Sequence, residues 1–242
     1  MASQHRILVL QHIAIEHPGI FRSFLMKDGI TWQAVQLDAG EPIPALDGYD
    51  ALWVMGGPMD VWQKEQYSWL APEVSVIGEA VVDRKMPYLG LCLGHQLLAE
   101  ALGGRVGPSD RPEIGILDVG LTDSGKRNPL FEGLPHTFRC LQWHSAEVVE
   151  APAGIDVLAS TEACRVQAIS VNGNALGLQY HVEITGQTVP EWAEVPEYKL
   201  ALERHLGSGA VERMALEAAE NMDNFNQSAR TIYDNWTASA FG

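Results

Sequence analysis

Along the N-terminal part of the chain, short apolar runs at Ile7–Leu10, Ala34–Leu37, Ala51–Met55 and Tyr88–Cys92 alternate with stretches of helical spacing. Uninterrupted apolar runs suit strands buried on both faces, and their alternation with helices is the pattern of a parallel sheet with crossover helices. The clearest helix is predicted from Trp69 to Lys85, where Leu70, Val74, Ile77, Val81 and Val82 share a stripe before Pro87 forbids continuation. After Gly103-Gly104 strand-like runs follow one another with turn residues and little helix between them. There Asn172-Gly173, between Val166–Val171 and Ala175–Tyr180, is a strong two-residue hairpin signal. An antiparallel extension of the parallel sheet is therefore expected. The tail from about Ala210 to Trp236 reads as a helix, with Val211, Met214, Ala218 and Met222 on one stripe and Phe225, Ile232 and Trp236 continuing it less regularly. No repeat, low-complexity segment or long linker intervenes. The expectation is one α/β domain over 1–242: a central, mostly parallel sheet with helices on both faces, a core of about 6–185 and a C-terminal helical extension of about 186–242.

Composition narrows the partners. With 242 residues, 46% of them hydrophobic, the chain can bury a sizeable core. Its 16 basic residues against 31 acidic ones give a net charge of −15, which repels phosphate backbones and anionic lipid surfaces. Neither nucleic acid nor membrane is expected as a partner. Met1–Arg6 runs into an apolar strand without the basic flank, long apolar run and cleavage site of a signal peptide, and no stretch approaches the roughly 18 apolar residues of a membrane span. Cys92, Cys140 and Cys164 are too few, and have no close Cys-x-x-Cys pair, for a disulfide framework. A cytoplasmic setting is expected.

Candidate chemistry centres on Gly90-Leu91-Cys92-Leu93-Gly94, where the strand Pro87–Leu91 must hand over to the helical segment Gln96–Leu102. Such a strand-turn-helix presents a nucleophile on a strained turn above the strand ends. The glycines allow close packing on either side, and the helix start favours a thiolate and a developing oxyanion. A buried structural cysteine is the competing reading of the same pentapeptide. The second element, Gly177-Leu178-Gln179-Tyr180-His181-Val182-Glu183, ends a predicted strand, and residues two apart on a strand point to the same side. His181 can then take the thiol proton while Glu183 holds the imidazole in its working tautomer. In the third element, Met55-Gly56-Gly57-Pro58, glycines let a backbone amide approach a substrate; Gly57 and Leu93 are the candidate oxyanion donors.

In this order, GGP, YLGLCLGHQLLAEALGG and LGLQYHVE closely resemble the class I (triad) glutamine amidotransferases, in particular the glutaminase domain of GMP synthetase, over roughly Arg6 to Thr185. The resemblance implies a flavodoxin-like three-layer fold. It also implies that Cys92 forms a γ-glutamyl thioester, His181 is general base and acid, Glu183 orients it, and Gly57 and Leu93 form the oxyanion hole. Gln96 would contact the substrate, and His144-Ser145 would hold its α-amino and carboxylate groups. Val182 stands where the family usually has proline. A related superfamily carries His directly after the nucleophile, where this chain has Leu93.

No Gly-rich phosphate loop follows, and the tail is helical and acidic, so nothing in the sequence is expected to consume ammonia. Three readings stand: a freestanding hydrolase of a γ-glutamyl amide or peptide, a glutaminase subunit supplying a synthetase in trans, and a silent regulatory or redox-sensing domain. No cofactor is called for. A metal site at His12 and His17, or at His136 and His144, lacks companion ligands at metal spacing. Cys140 and Cys164 read as packing residues in strand-like segments, and Trp53, Trp69, Trp143 and Trp236 as core or rim aromatics. His95 reads as packing, and Asp110-Arg111-Pro112-Glu113 as a solvated charge cluster.

Overall fold

In the computed structural model residues 5–242 are described; Met1–Gln4, part of the stretch read as lacking a targeting signal, lie outside them. The apolar runs become strands β1 (Arg6–Gln11), β3 (Ala51–Val54) and β4 (Tyr88–Leu91), with β2 (Thr31–Gln36) at the edge. Helices α1 (Phe21–Asp28), α2 (Leu70–Gly78) and α3 (Leu93–Ala101) intervene. Beyond them the chain forms two long strands, β5 (Arg105–Leu121) and β6 (Thr137–Glu150), joined through the short helix α4 (Asp123–Arg127). Then come β7 (Asp156–Ser160), β8 (Ala168–Val171) and β9 (Ala175–Leu178). All strands share one sheet in the order β2-β1-β3-β4-β9-β8-β7-β5-β6. Pairing is parallel from β2 through β9 and antiparallel from β9 through β6, so the parallel part is about half of a mixed sheet. The β8–β9 hairpin turns on Asn172 (φ 55°) and Gly173 (φ 79°), both left-handed as a mirror-image turn requires.

Alternation within β1 shows how the sheet is covered. Ile7 and Val9 face one apolar layer with Phe21 and Leu25 of α1, while Leu8 and Leu10 face the other with Leu70 and Ile77 of α2 and Leu97 and Leu98 of α3. The predicted helix Trp69–Lys85 is interrupted: α2 passes into one π-helical turn, Glu79–Asp83, which rephases the stripe so that Val81 is buried while Val82 is 54% exposed.

The C-terminal region contains four helices rather than the one expected. They are α5 (Thr188–Trp192), α6 (Pro196–Leu206), α7 (Ala210–Glu220) and α8 (Met222–Phe241). The predicted stripe is broken at Asn221, between α7 and α8, and it changes cores further on, between Phe225 and Ala229. Met214, Ala218 and Phe225 pack with Ile114, Trp143, Trp192 and Tyr198, whereas Ala229, Ile232 and Trp236 lie against the sheet beside Phe21 and Trp53. Trp236 is fully buried, meets the Trp53 ring edge-on at 5.4 Å and donates its indole N–H to Tyr88 O at 2.9 Å. α8 is thereby fastened to β4, the strand that leads to Cys92. Trp236→Ala is expected to cost about 3–5 kcal/mol, combining a large cavity with loss of that hydrogen bond. Urea unfolding checks this through a lowered midpoint at unchanged slope, and a loss under about 1 kcal/mol would contradict the packing role.

Candidate active site

Cys92 sits between β4 and α3 with φ 50° and ψ −102°, a conformation non-glycine residues rarely adopt. Three main-chain bonds hold it: Cys92 N–H donates to Leu178 O at 2.7 Å, Gly94 N–H to Met55 O at 3.2 Å, and Gln96 N–H to Cys92 O at 3.1 Å. The flanking glycines are there for contact. A Cβ on Gly94 would lie 2.1 Å from Val54 O, and one on Gly90 would lie 2.6 Å from the Gly94 carbonyl group. The turn is thus wedged between β3, β9 and its own helix.

β9 ends at Leu178, earlier than the predicted Tyr180, and an isolated two-way bridge between His181 and Leu141 of β6 carries the histidine instead. The two side chains meet as expected, though through a bend rather than a regular strand: His181 Nδ1 donates to Glu183 Oε1 at 2.6 Å. Burial works against a charged His181 ring, but Glu183 and the Cys92 sulfur outweigh it and hold the group well above its ordinary value. The departure at Val182 has a direct result. Its N–H donates to Glu183 Oε2 at 3.0 Å, a bond proline cannot make. Behind this turn Ile20 N–H donates to Glu183 O at 2.7 Å, and Gly19 (φ 49°) has no room for a side chain.

An open cleft brings Gly57, Cys92, Leu93, Gln96, His144 and Ser145 together, with Asp60, Trp143 and Tyr198 among its other walls. Gln96 is committed within it: its amide N–H groups donate to Ala146 O at 3.1 Å and Gln179 Oε1 at 3.0 Å. Gln179 in turn donates to the Cys92 sulfur at 3.5 Å. His144 donates from Nδ1 to Ala146 O at 3.0 Å, which leaves Nε2 facing Glu113 Oε2 at 3.3 Å.

Glu113 is therefore buried rather than part of a solvated cluster, and Gln167 donates to it at 2.6 Å. Cys164 lies in a loop rather than a strand, and burial pushes its thiol up. Glu113, His144 and Cys164 present ligand atoms within 4.8 Å of one another, so His144 does have companions able to hold a soft divalent ion. Among the described residues His144 Nε2 has no hydrogen-bond partner there, and the three side chains lie behind the part of β6 that carries Ser145. His95 packs as expected; it is buried at β9 and burial lowers it to about 4, so it is neutral. Cys140 and the tryptophans Trp53, Trp143 and Trp236 are core residues.

Several features of the site escaped the sequence reading, which weighed His12 only as a metal ligand. His12 and Glu73 form a buried pair: His12 Nε2 donates to both Glu73 oxygens at 3.1 Å, and Nδ1 donates to Gly56 O at 2.8 Å. Burial opposes charge on His12, but Glu73 and the Gly56 carbonyl raise it above its usual value. From the C-terminal helices, Trp192 meets the His181 ring edge-on at 4.7 Å, and Tyr198 donates its hydroxyl to Glu16 Oε1 at 2.5 Å. Burial pushes the Glu16 carboxyl up, partly offset by the nearby His181. The sequence signals were faint: a lone Glu inside an apolar helix stripe, and aromatics in helices of low periodicity.

Comparison with known proteins places this geometry. The model of the family described as "Glutamine amidotransferase class-I" matches residues 21–192. The chain is 32% identical over 169 residues to a subunit of the glutamine-hydrolyzing GMP synthase of Sulfolobus acidocaldarius, covering 69% of this chain and 85% of that protein. It is 29% identical over 239 residues to the glutamine amidotransferase-like protein YfeJ of Salmonella typhimurium, covering 96% and 97%. A glutamine amidotransferase crystal structure from Thermotoga maritima superposes with a TM-score of 0.86 at 26% identity, covering 99% of both chains.

Gln179 donates a side-chain N–H to the Cys92 sulfur at 3.5 Å. Gln179→Leu is expected to slow alkylation of Cys92 by iodoacetamide at neutral pH roughly tenfold, because a donor that favours the thiolate is lost. Intact near-ultraviolet dichroism with an unchanged rate would show that the donation does nothing for the sulfur.

Proposed function

The chain belongs to the class I glutamine amidotransferases, and on that premise we propose that it is a freestanding amidohydrolase that cleaves a γ-glutamyl amide or peptide, glutamine included. The Cys92 sulfur attacks the γ-carbonyl carbon and forms a C–S bond. Gly57 and Leu93 N–H groups receive the oxyanion. As the C–N bond breaks, His181 gives its proton to the departing ammonia or amine. Water then attacks the thioester, His181 takes a proton from it, and glutamate leaves as the thiolate is restored. The raised His181 value supports a ring that holds the proton it must give to the leaving group. His144 and Ser145, and Gln96 through its hold on Ala146, are assigned to the α-substituents of the glutamyl group.

The observation that favours a self-sufficient enzyme is the cover over the site. Trp192 closes on His181 and Tyr198 lines the cleft. The helix that carries Tyr198 lies beyond residue 192, where the family match ends. YfeJ and the Thermotoga protein match nearly the whole chain, whereas the GMP synthase subunit matches 69% of it. That protein's name favours the second reading, a glutaminase that passes ammonia to a synthetase. Among the described residues no helix is long and apolar enough to cross a membrane.

Free glutamate released from glutamine and from a panel of γ-glutamyl amides and dipeptides separates the readings. Fast cleavage of an amide or dipeptide, with glutamine poor, supports the freestanding hydrolase. Slow turnover of glutamine alone supports the glutaminase that works in trans, and silence on all substrates overturns both. Cys92→Ala is expected to abolish release, and Glu183→Gln to lose less than His181→Ala, since it disturbs the orienting group and leaves the imidazole in place. His181 is raised in the fold, so its protonated form persists above its ordinary value and is lost as pH rises through the folded one. Glu183→Gln removes the main cause of that rise. The alkaline limb of kcat/KM should therefore move to lower pH, and an unmoved limb would contradict the assignment.

A further inference from the structure

Gly56 and Gly57 are gripped from one side by the segment that follows β1. A Cβ on Gly56 would lie 2.7 Å from Glu16 Oε2, and one on Gly57 would lie 2.8 Å from His12 Cβ and 3.1 Å from Leu93 Cδ2. The two carbonyls entering this loop are both fixed. Met55 O accepts from Gly94 N–H, and Gly56 O accepts from His12 Nδ1 at 2.8 Å. His12 is itself held at its other nitrogen by both oxygens of Glu73, and both residues are fully buried. A peptide group is planar, and none of those described here is cis, so C=O and N–H of the Gly56-Gly57 peptide point in opposite directions. Whatever pulls the Gly56 oxygen toward His12 turns the Gly57 N–H the other way, away from His12, and Gly57 is one of the residues that line the cleft.

We infer that the His12–Glu73 pair is a positioning device for the oxyanion hole: it anchors the Gly56 carbonyl and thereby aims the Gly57 N–H at the oxygen that becomes negative. The inference rests on the hydrolase reading above, and it assigns His12 no contact with substrate. Glycine at 56 and 57 makes the device necessary as well as possible. Two residues without Cβ leave the peptide free to rotate, and a rotated peptide would offer the developing oxyanion a carbonyl instead of a donor. The His12 ring meets an acceptor at each nitrogen, the Gly56 carbonyl at one and the Glu73 carboxylate at the other, and Glu73 outweighs burial in raising its pKa, which favours the form that donates from both. Glu73 lies on α2, and the aim of the donor is thereby tied to a helix outside the cleft.

The test compares turnover with the intrinsic reactivity of the thiol. In His12→Leu/Glu73→Gln, which strands no buried carboxylate, kcat is expected to fall about 100-fold or more, the scale of one lost oxyanion donor. KM and the iodoacetamide rate of Cys92 should stay within about threefold, since neither depends on the oxyanion. His12→Asn keeps a donor near the Nδ1 position and should recover most of the lost kcat. A folded double variant with kcat near that of wild type overturns the inference. So does a parallel loss in kcat and alkylation, or an asparagine variant as poor as leucine. Should the double variant not fold, Glu73→Gln alone decides the matter: kcat is expected to drop roughly tenfold with alkylation unchanged, and an undiminished kcat overturns the anchor. The wild-type chain in the same assay keeps the two ideas apart. Its failure to cleave any γ-glutamyl substrate counts against the hydrolase reading, whereas an active wild type with indifferent variants counts against His12.

Discussion

The geometry of the site depends on the strained backbone of Cys92. A left-handed φ at a residue with a side chain costs of order 1–3 kcal/mol and persists only where the surroundings over-determine it. Here they do so through main-chain contacts. The Cys92 amide is bonded to β9, the amides of Gly94 and Gln96 reach the end of β3 and the Cys92 carbonyl, and glycines at 90 and 94 permit backbone separations that a methyl group would prevent. Because β3, β4 and β9 are neighbours in the parallel half of the sheet, their carboxyl ends converge on this turn. The thiol, the Gly57 loop and the approach to His181 come from three adjacent strands and need no long connection to be placed.

Much of this was legible in the chain. Parallel strands buried on both faces leave apolar runs such as Ile7–Leu10 that little else explains, and Gly-x-Cys-x-Gly between a strand and a helix has a specific steric meaning. The mixed sheet was visible through Asn172-Gly173, although its antiparallel half proved as large as its parallel half. What stayed hidden has one cause: pairs of polar residues far apart in sequence that satisfy each other only after folding. His12 and Glu73, or Glu16 and Tyr198, leave no periodicity. A buried Glu in an apolar helix reads locally as an error, until its partner is known. The change of core between Phe225 and Ala229 was hidden for a related reason, because an apolar stripe does not say that its two ends face different cores.

The chain is acidic, with a net charge of −15, yet two of its buried histidines are held in or toward the charged form. Each is matched by one buried carboxylate at hydrogen-bonding distance, which confines the field of each pair to its own neighbourhood. The interior beside the cleft thus holds opposite charges that the surface composition does not disclose. One pair sits at the thiol and the other behind the Gly56 carbonyl.

Glu183 shows what such confinement means for disorder. One oxygen is held by the His181 ring and the other by the amide of Val182, while its own carbonyl is held by Ile20. A carboxylate gripped separately at each oxygen has no freedom to swing about its terminal bond, and the imidazole it holds cannot rock. The ordering entropy of this histidine–carboxylate pair was therefore surrendered when the protein folded, so that little of it is left to lose when a ligand arrives.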